Sequence, residues 1–291
     1  MKEIWTALIT PFDQDNQIDW KALENIVQMQ IEEGVDGFIV CGTTAETPTL
    51  LMEEQEQIIE KVLSITKGRV KVYAGAGTNN TATTLANIAR FEKYPLDGYL
   101  IVTPYYNRPS EDGLYAHFVA ASAMTRKNIL LYHVPSRTGS AITIRLFERL
   151  VMKCHNITGM KYAAQDYMTL AKLKKLFPSL YFYSGDDVTC FDAIAAGADG
   201  VISVMSHMLL PEMKTAILTK NQAMQHELEF FAKYCFLETS PSPIKYMLSQ
   251  AHLCNNILRL PLCTITKDTQ HILDQEARTC YDKLRLKKKI T

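Results

Sequence analysis

The sequence predicts a (β/α)₈ barrel with a helical C-terminal appendage, on three observations. Eight short apolar runs, rich in β-branched residues, recur between residues 5 and 204. Amphipathic stretches separate them, so strand and helix alternate. The rival, a doubly wound open sheet, usually has fewer strands and a glycine-rich loop after its first one. Here the first run ends in Thr10-Pro11-Phe12, with no such loop.

The runs cover residues 5–11, 37–42, 70–75, 98–105, 129–134, 158–163, 180–184 and 200–204. Each is apolar nearly throughout rather than alternating, as suits parallel strands covered on both faces. After the first run, Leu23, Ile26, Val27 and Ile31 share one helical face. Ile58, Ile59, Val62 and Leu63 do the same after the second. The barrel is expected to occupy residues 1–221. Residues 222–291 read as a helical region broken at Pro241, Pro243 and Pro261. Its basic end, Lys283-Leu284-Arg285-Leu286-Lys287-Lys288-Lys289, reads as a solvated helix end rather than a nucleic-acid patch.

At 291 residues the chain can bury a sizeable core. Its formal net charge is zero, which points to neither nucleic acid nor a membrane surface. No apolar stretch reaches the length of a spanning helix. The first residues, Met1-Lys2-Glu3-Ile4-Trp5, lack the pattern of a secretory signal. The seven cysteines include no Cys-x-x-Cys pair, so reduced, mostly buried thiols in a cytoplasmic protein are expected. The seven histidines show no zinc-binding spacing, and Gly75-Ala76-Gly77 lacks the third glycine of a dinucleotide loop. No metal or cofactor is expected.

Active sites of such barrels lie at the C-terminal ends of the strands. Lys161, inside the apolar segment Ile157-Thr158-Gly159-Met160-Lys161-Tyr162-Ala163, is the most informative group there. Two environments are open to it. At the strand end it would extend to water. Facing the interior it would lose hydration, which disfavours the ammonium and leaves free amine to attack a carbonyl. Tyr132, on the fifth run, favours the second reading, because a phenol beside an imine can relay protons. Thr43 after the second run and Tyr106 after the fourth are candidates to complete the relay. The Gly42-Thr43-Thr44 turn offers N–H groups and hydroxyls to a carboxylate. Arg137, after Tyr132, offers a planar fork to a second one, with a surface ion pair as the alternative. Asp186-Asp187 reads as a pair of helix-start acids.

These motifs together resemble the dihydrodipicolinate synthase / N-acetylneuraminate lyase family of class I aldolases. The segments that carry the resemblance are Gly42-Thr43-Thr44, Tyr105-Tyr106-Asn107-Arg108-Pro109, Tyr132-His133-Val134-Pro135-Ser136-Arg137-Thr138-Gly139, Gly159-Met160-Lys161, Ser184-Gly185-Asp186-Asp187 and Gly200-Val201-Ile202-Ser203. Ser136-Arg137-Thr138-Gly139 looks like the synthase branch. The resemblance therefore implies condensation of pyruvate, held as an imine on Lys161, with L-aspartate 4-semialdehyde, in the diaminopimelate route to lysine. Another pyruvate-dependent aldolase, acting on a sugar acid or hydroxy-keto acid, is the alternative.

Under the resemblance, Thr43 and Thr44 hold the pyruvate carboxylate. Tyr132, Thr43 and Tyr106 relay protons, with Tyr106 arriving from a neighbouring subunit. Arg137 grips the semialdehyde, and Gly185 and the backbone of Ile202 line the pocket. A homotetramer made of tight dimers is implied. Three residues depart from the family's pattern: Ala45 for glycine, His133 for asparagine and Tyr162 for an acid. Strand alternation puts His133 and Tyr162 on the face opposite Tyr132 and Lys161. Ala45 would be strained if its backbone were left-handed. At the positions matching the family's lysine-feedback site, Thr47, Pro48, Gln55, Asn79 and Thr83, carboxylate partners for a cation are missing, so weak or absent inhibition by lysine is expected.

Overall fold

In the computed structural model, which describes residues 2–288, eight strands close into a barrel in the order β1 to β8. They are β1 (Glu3–Ala7), β2 (Gly37–Val40), β3 (Lys71–Gly75), β4 (Gly98–Val102), β5 (Asn128–His133), β6 (Ile157–Tyr162), β7 (Tyr181–Ser184) and β8 (Gly200–Ser203). The helices are α1 (Trp20–Glu32), α2 (Met52–Thr66), α3 (Thr81–Phe91), α4 (Glu111–Ala123), the single turn α5 (Pro135–Thr138), α6 (Ile144–Lys153), α7 (Tyr167–Leu176), α8 (Cys190–Ala195) and α9 (Ser206–Thr219). Beyond them come α10 (Gln222–Tyr234), α11 (Ser242–Gln250), α12 (Lys267–Ile272) and α13 (Arg278–Lys288). Met1 and Lys289, both part of the sequence reading, lie outside the described residues.

All eight expected runs contain strands, two of them cut back furthest. β1 stops at Ala7 and β4 at Val102. The fourth run was expected to continue through Pro104 to Tyr105, and proline has no N–H for the ladder. Several helices start where a side chain caps them. Asp19, Asn80, Ser110, Thr143, Asp166 and Asn221 each accept a bond from a backbone N–H of the first turn. The C-terminal helices are interrupted where the prolines stand: Pro241 and Pro243 open α11, and Pro261 lies between α11 and α12. The first helical turn has no partner for its N–H groups, so proline costs nothing there.

The chain clusters into two compact units. One takes in Lys71–Ile202 with Lys2 and Glu3. Within it, β3 to β8 pair in parallel, with Val102 opposite Tyr132, Tyr132 opposite Lys161, and Lys161 opposite Tyr183. Its helices seal the outer face: Phe147 of α6 meets Phe182 of β7 at 5.6 Å between ring centres.

The other unit takes in Ile4–Val70 and the chain from Ser203 onward. Here the Thr6 hydroxyl donates to Gln30 at 2.6 Å and lies 2.9 Å from the Ser206 hydroxyl. Arg285, in the basic end, donates to the Met208 carbonyl at 3.0 Å and faces Glu33 and Glu212. Its guanidinium is thus engaged rather than simply solvated. Among the described residues, no helix is long and apolar enough to cross a membrane.

Candidate active site

Lys161 sits near the end of β6 and is only 7% exposed. Of the two environments open to it, the interior is the one it occupies. Its Nζ lies 4.6 Å from the centre of the Tyr132 ring. The two residues are register partners on adjacent parallel strands, so their side chains leave the sheet on the same face. Among the described residues no carboxylate pairs with the Lys161 amine, and no hydrogen bond occupies the Tyr132 hydroxyl. A buried amine and an uncommitted phenol in contact can carry both nucleophilic addition and proton transfer.

Gly185, the residue after β7, is part of this contact. Its N–H donates to the Tyr162 carbonyl at 2.8 Å, drawing the backbone in against β6. A Cβ there would fall 2.7 Å from Ala163 Cβ and 3.0 Å from Lys161 Cε. Only glycine leaves the Lys161 side chain its path. Gly185→Ala is expected to push the amine off its position and slow any reaction that depends on it about 10- to 100-fold, with the fold intact by circular dichroism. Wild-type kinetics in that variant would contradict the packing described here.

The two departures on these strands lie back to back. His133 and Tyr162 are register partners, with rings stacked at 4.9 Å and 24°. His133 Nδ1 accepts from the Ile142 N–H at 3.1 Å, and the Tyr162 hydroxyl donates to the Asp166 carbonyl at 3.2 Å. Both therefore face the surrounding loops, as strand alternation requires. Burial holds the His133 imidazole neutral, pulling its pKa down to about 4.

His117 and His207 are lowered to about 4 for the same reason. The unfolded chain takes up these protons near pH 6.5 and the folded chain near 4, so stability is complete above about pH 6.5 and falls as pH drops toward 4. His133 alone accounts for about 3 kcal/mol of that loss. His133→Asn is expected to lose less Tm than the wild type between pH 7 and pH 4, measured by thermal scans. Parallel curves would contradict it.

The other expected residues fall as follows. Ile202 is buried on β8. Arg137 is exposed on α5, with no ion pair among the described residues, so the surface salt-bridge reading does not hold. Its loop is fixed from below: the Thr138 hydroxyl accepts from Thr103 at 3.1 Å and lies 3.0 Å from the Ser140 carbonyl. Tyr106 is 91% exposed, in a left-handed backbone with φ 72°.

Thr43 and Thr44 form a tight turn with Ala45 after β2, Thr43 exposed and Thr44 buried. Ala45 is part of that 3₁₀ turn and is not left-handed; the left-handed residue is Glu46, with φ 57°. The strain considered for Ala45 therefore does not arise. Asp186 and Asp187 do not start α8, whose N-cap is Thr189. Asp186 instead accepts from the Val188 N–H, closing its own turn.

Sequence reasoning missed a buried polar cluster behind Thr43 and Thr44, made by Glu46, Lys245 and Arg259. A signal existed: Lys245 stands in the largely apolar Pro243-Ile244-Lys245-Tyr246-Met247-Leu248, much as Lys161 does in its strand.

Comparison with known proteins places the chain in a family. The family model for the dihydrodipicolinate synthetase family matches residues 1–279. The 4-hydroxy-tetrahydrodipicolinate synthase of Fervidobacterium nodosum is 38% identical over 280 residues, covering 94% of this chain and 96% of that protein. That of Thermotoga maritima is 36% identical, covering 93% and 95%. Among solved structures, the dihydrodipicolinate synthase of Aquifex aeolicus superposes with a TM-score of 0.90 at 33% identity, covering 96% of this chain and 98% of that one. The 4-hydroxy-tetrahydrodipicolinate synthase of Methylacidiphilum fumariolicum superposes at 0.92 with 34% identity, covering 99% and 98%. The chain belongs to the dihydrodipicolinate synthetase family.

Proposed function

We propose that this protein is a class I aldolase-type lyase that condenses pyruvate with L-aspartate 4-semialdehyde, acting as a 4-hydroxy-tetrahydrodipicolinate synthase in lysine biosynthesis. The contact between the buried Lys161 amine and the Tyr132 ring carries the reading. The amine adds to the keto carbon of pyruvate, and the carbinolamine oxygen leaves as water once protonated. The imine then loses a methyl proton to give an enamine. Its carbon attacks the aldehyde, whose oxygen takes up a proton. The amino group of the second substrate finally displaces Lys161 from the imine carbon.

Each step moves a proton, and Tyr132 moves it; its ring's contact with Lys161 supports that role. Thr43 and Tyr106 extend the relay, with Tyr106 supplied by a neighbouring subunit of a homotetramer built as a dimer of dimers. Its exposure supports that role, since a side chain free of its own chain is available to another. The Thr43–Thr44 turn receives the pyruvate carboxylate. Arg137, exposed and without an ion pair among the described residues, receives the carboxylate of the semialdehyde. Gly185 and the Ile202 backbone line the pocket. The chemistry uses no metal or cofactor beyond the covalent imine on Lys161. The partners are these small molecules, not nucleic acid or membrane, and the location is the cytoplasm.

A steady-state assay with pyruvate and aspartate semialdehyde tests this. Pyruvate consumption that depends on the semialdehyde is expected. Turnover only with a sugar acid or hydroxy-keto acid would move the assignment to another aldolase activity. The same assay checks regulation. Gln55 spends its amide on the Leu50 carbonyl at 3.3 Å, and neither it nor Thr83 offers a carboxylate to a cation. Inhibition by lysine is therefore expected to be weak or absent; strong inhibition at low lysine would contradict this.

A further inference from the structure

Glu46 follows the Thr43–Ala45 turn and is completely buried, as is Lys245 of α11. Their charges meet at 2.6 Å. The other Glu46 oxygen accepts from the Arg259 backbone N–H at 3.1 Å. Lys245 also donates to the Ile257 carbonyl at 2.7 Å and lies 4.3 Å over the Phe12 ring, where Arg259 sits at 4.4 Å. The Arg259 fork closes the cluster, binding Glu54 of α2 at 2.6 and 2.7 Å and the carbonyls of Asn16 and Thr49.

This arrangement holds one short piece of backbone. The Glu46 N–H donates to the Thr43 carbonyl, and the Ala45 N–H to that of Gly42, both at 3.1 Å. Thr10 holds the Ala45 carbonyl at 2.9 Å. Thr49 holds the Glu46 carbonyl through both its N–H and its hydroxyl. Glu46 takes a left-handed conformation unusual for a residue with a side chain, and such a conformation persists only where its surroundings fix it. A buried ion pair is also a costly way to gain stability, because an apolar pair of similar volume does as well or better. What the pair does supply is a directional anchor whose length and angle fix where the turn lies.

We infer that Glu46, gripped by Lys245 and Arg259, is a positioning residue for the Thr43–Thr44 turn, so that the segment after the barrel sets the geometry of pyruvate binding. This rests on the proposed function for the role of the two threonines. The clamp itself is independent of it.

Two variants test the inference. Lys245→Met leaves Glu46 buried without its cation and is expected to lower Tm. The double variant Glu46→Leu with Lys245→Met leaves no unpaired charge, so Tm recovers, but the anchor is cut. In the double variant, amide hydrogen exchange at Ala45 and Glu46 is expected to accelerate. KM for pyruvate is expected to rise about tenfold or more while that for the semialdehyde moves little. A purely structural pair would return pyruvate KM to the wild-type value along with Tm, and that result would overturn the inference. Unchanged exchange at Ala45 and Glu46 would overturn it as well, whatever the activity. A wild-type protein that forms no adduct with pyruvate would instead contradict the proposed function, and the exchange measurement would still decide the clamp.

Discussion

Replacing Lys161 by methionine is expected to abolish turnover, lowering kcat by at least about 10³-fold, because the covalent route has no second amine over the Tyr132 ring among the described residues. Methionine fills a similar volume and carries no charge. Removing a polar group from a site where it has no ion-pair partner among the described residues leaves nothing else unpaired. Tm is therefore expected to stay level or rise. That pairing of results, activity lost and stability kept, distinguishes a reactive lysine from a structural one. Steady-state kinetics beside a thermal scan checks it. Retention of more than about a tenth of wild-type turnover would contradict the role given to Lys161.

Tyr132→Phe comes second in size. The ring, and with it the face presented to Lys161, is kept; only the hydroxyl goes. Because no hydrogen bond within the chain occupies that hydroxyl among the described residues, the fold is expected to be unaffected. The lost group is a proton relay, and such groups are worth about 10²- to 10⁴-fold in rate. The expected result is a fall of that size in kcat, with slower but still complete formation of the pyruvate imine at Lys161. Single-turnover trapping over time separates the two effects. If imine formation and turnover both keep wild-type rates, the phenol is only packing.

The barrel was legible because buried parallel strands are written as continuous apolar runs, and each of the eight survived as a strand. The strand ends were less so. Pro104 ends the ladder inside a run that reads as unbroken hydrophobicity. The Lys161–Tyr132 pair was legible for a related reason: an amine in an apolar strand is conspicuous, and alternation fixes which neighbours share its face. Alternation likewise placed His133 and Tyr162 on the outer face, where they stack. The backbone of residues 42–46 was not legible. Which of five residues takes the left-handed conformation depends on where Glu46 is pulled, and Lys245 and Arg259 lie about 200 positions away, at 199 and 213 residues. Asp186 and Asp187 misled for a similar reason, since a local turn took Asp186 before α8 began.

The function proposed for this chain depends on one covalent bond. Incubating the wild-type protein with pyruvate and borohydride, then mapping the modified residue by mass spectrometry, tests it directly. The account predicts a single pyruvate-derived adduct on the peptide containing Lys161, absent when borohydride is left out and absent from Lys161→Met. An unmodified Lys161, or an adduct confined to surface lysines, would contradict it.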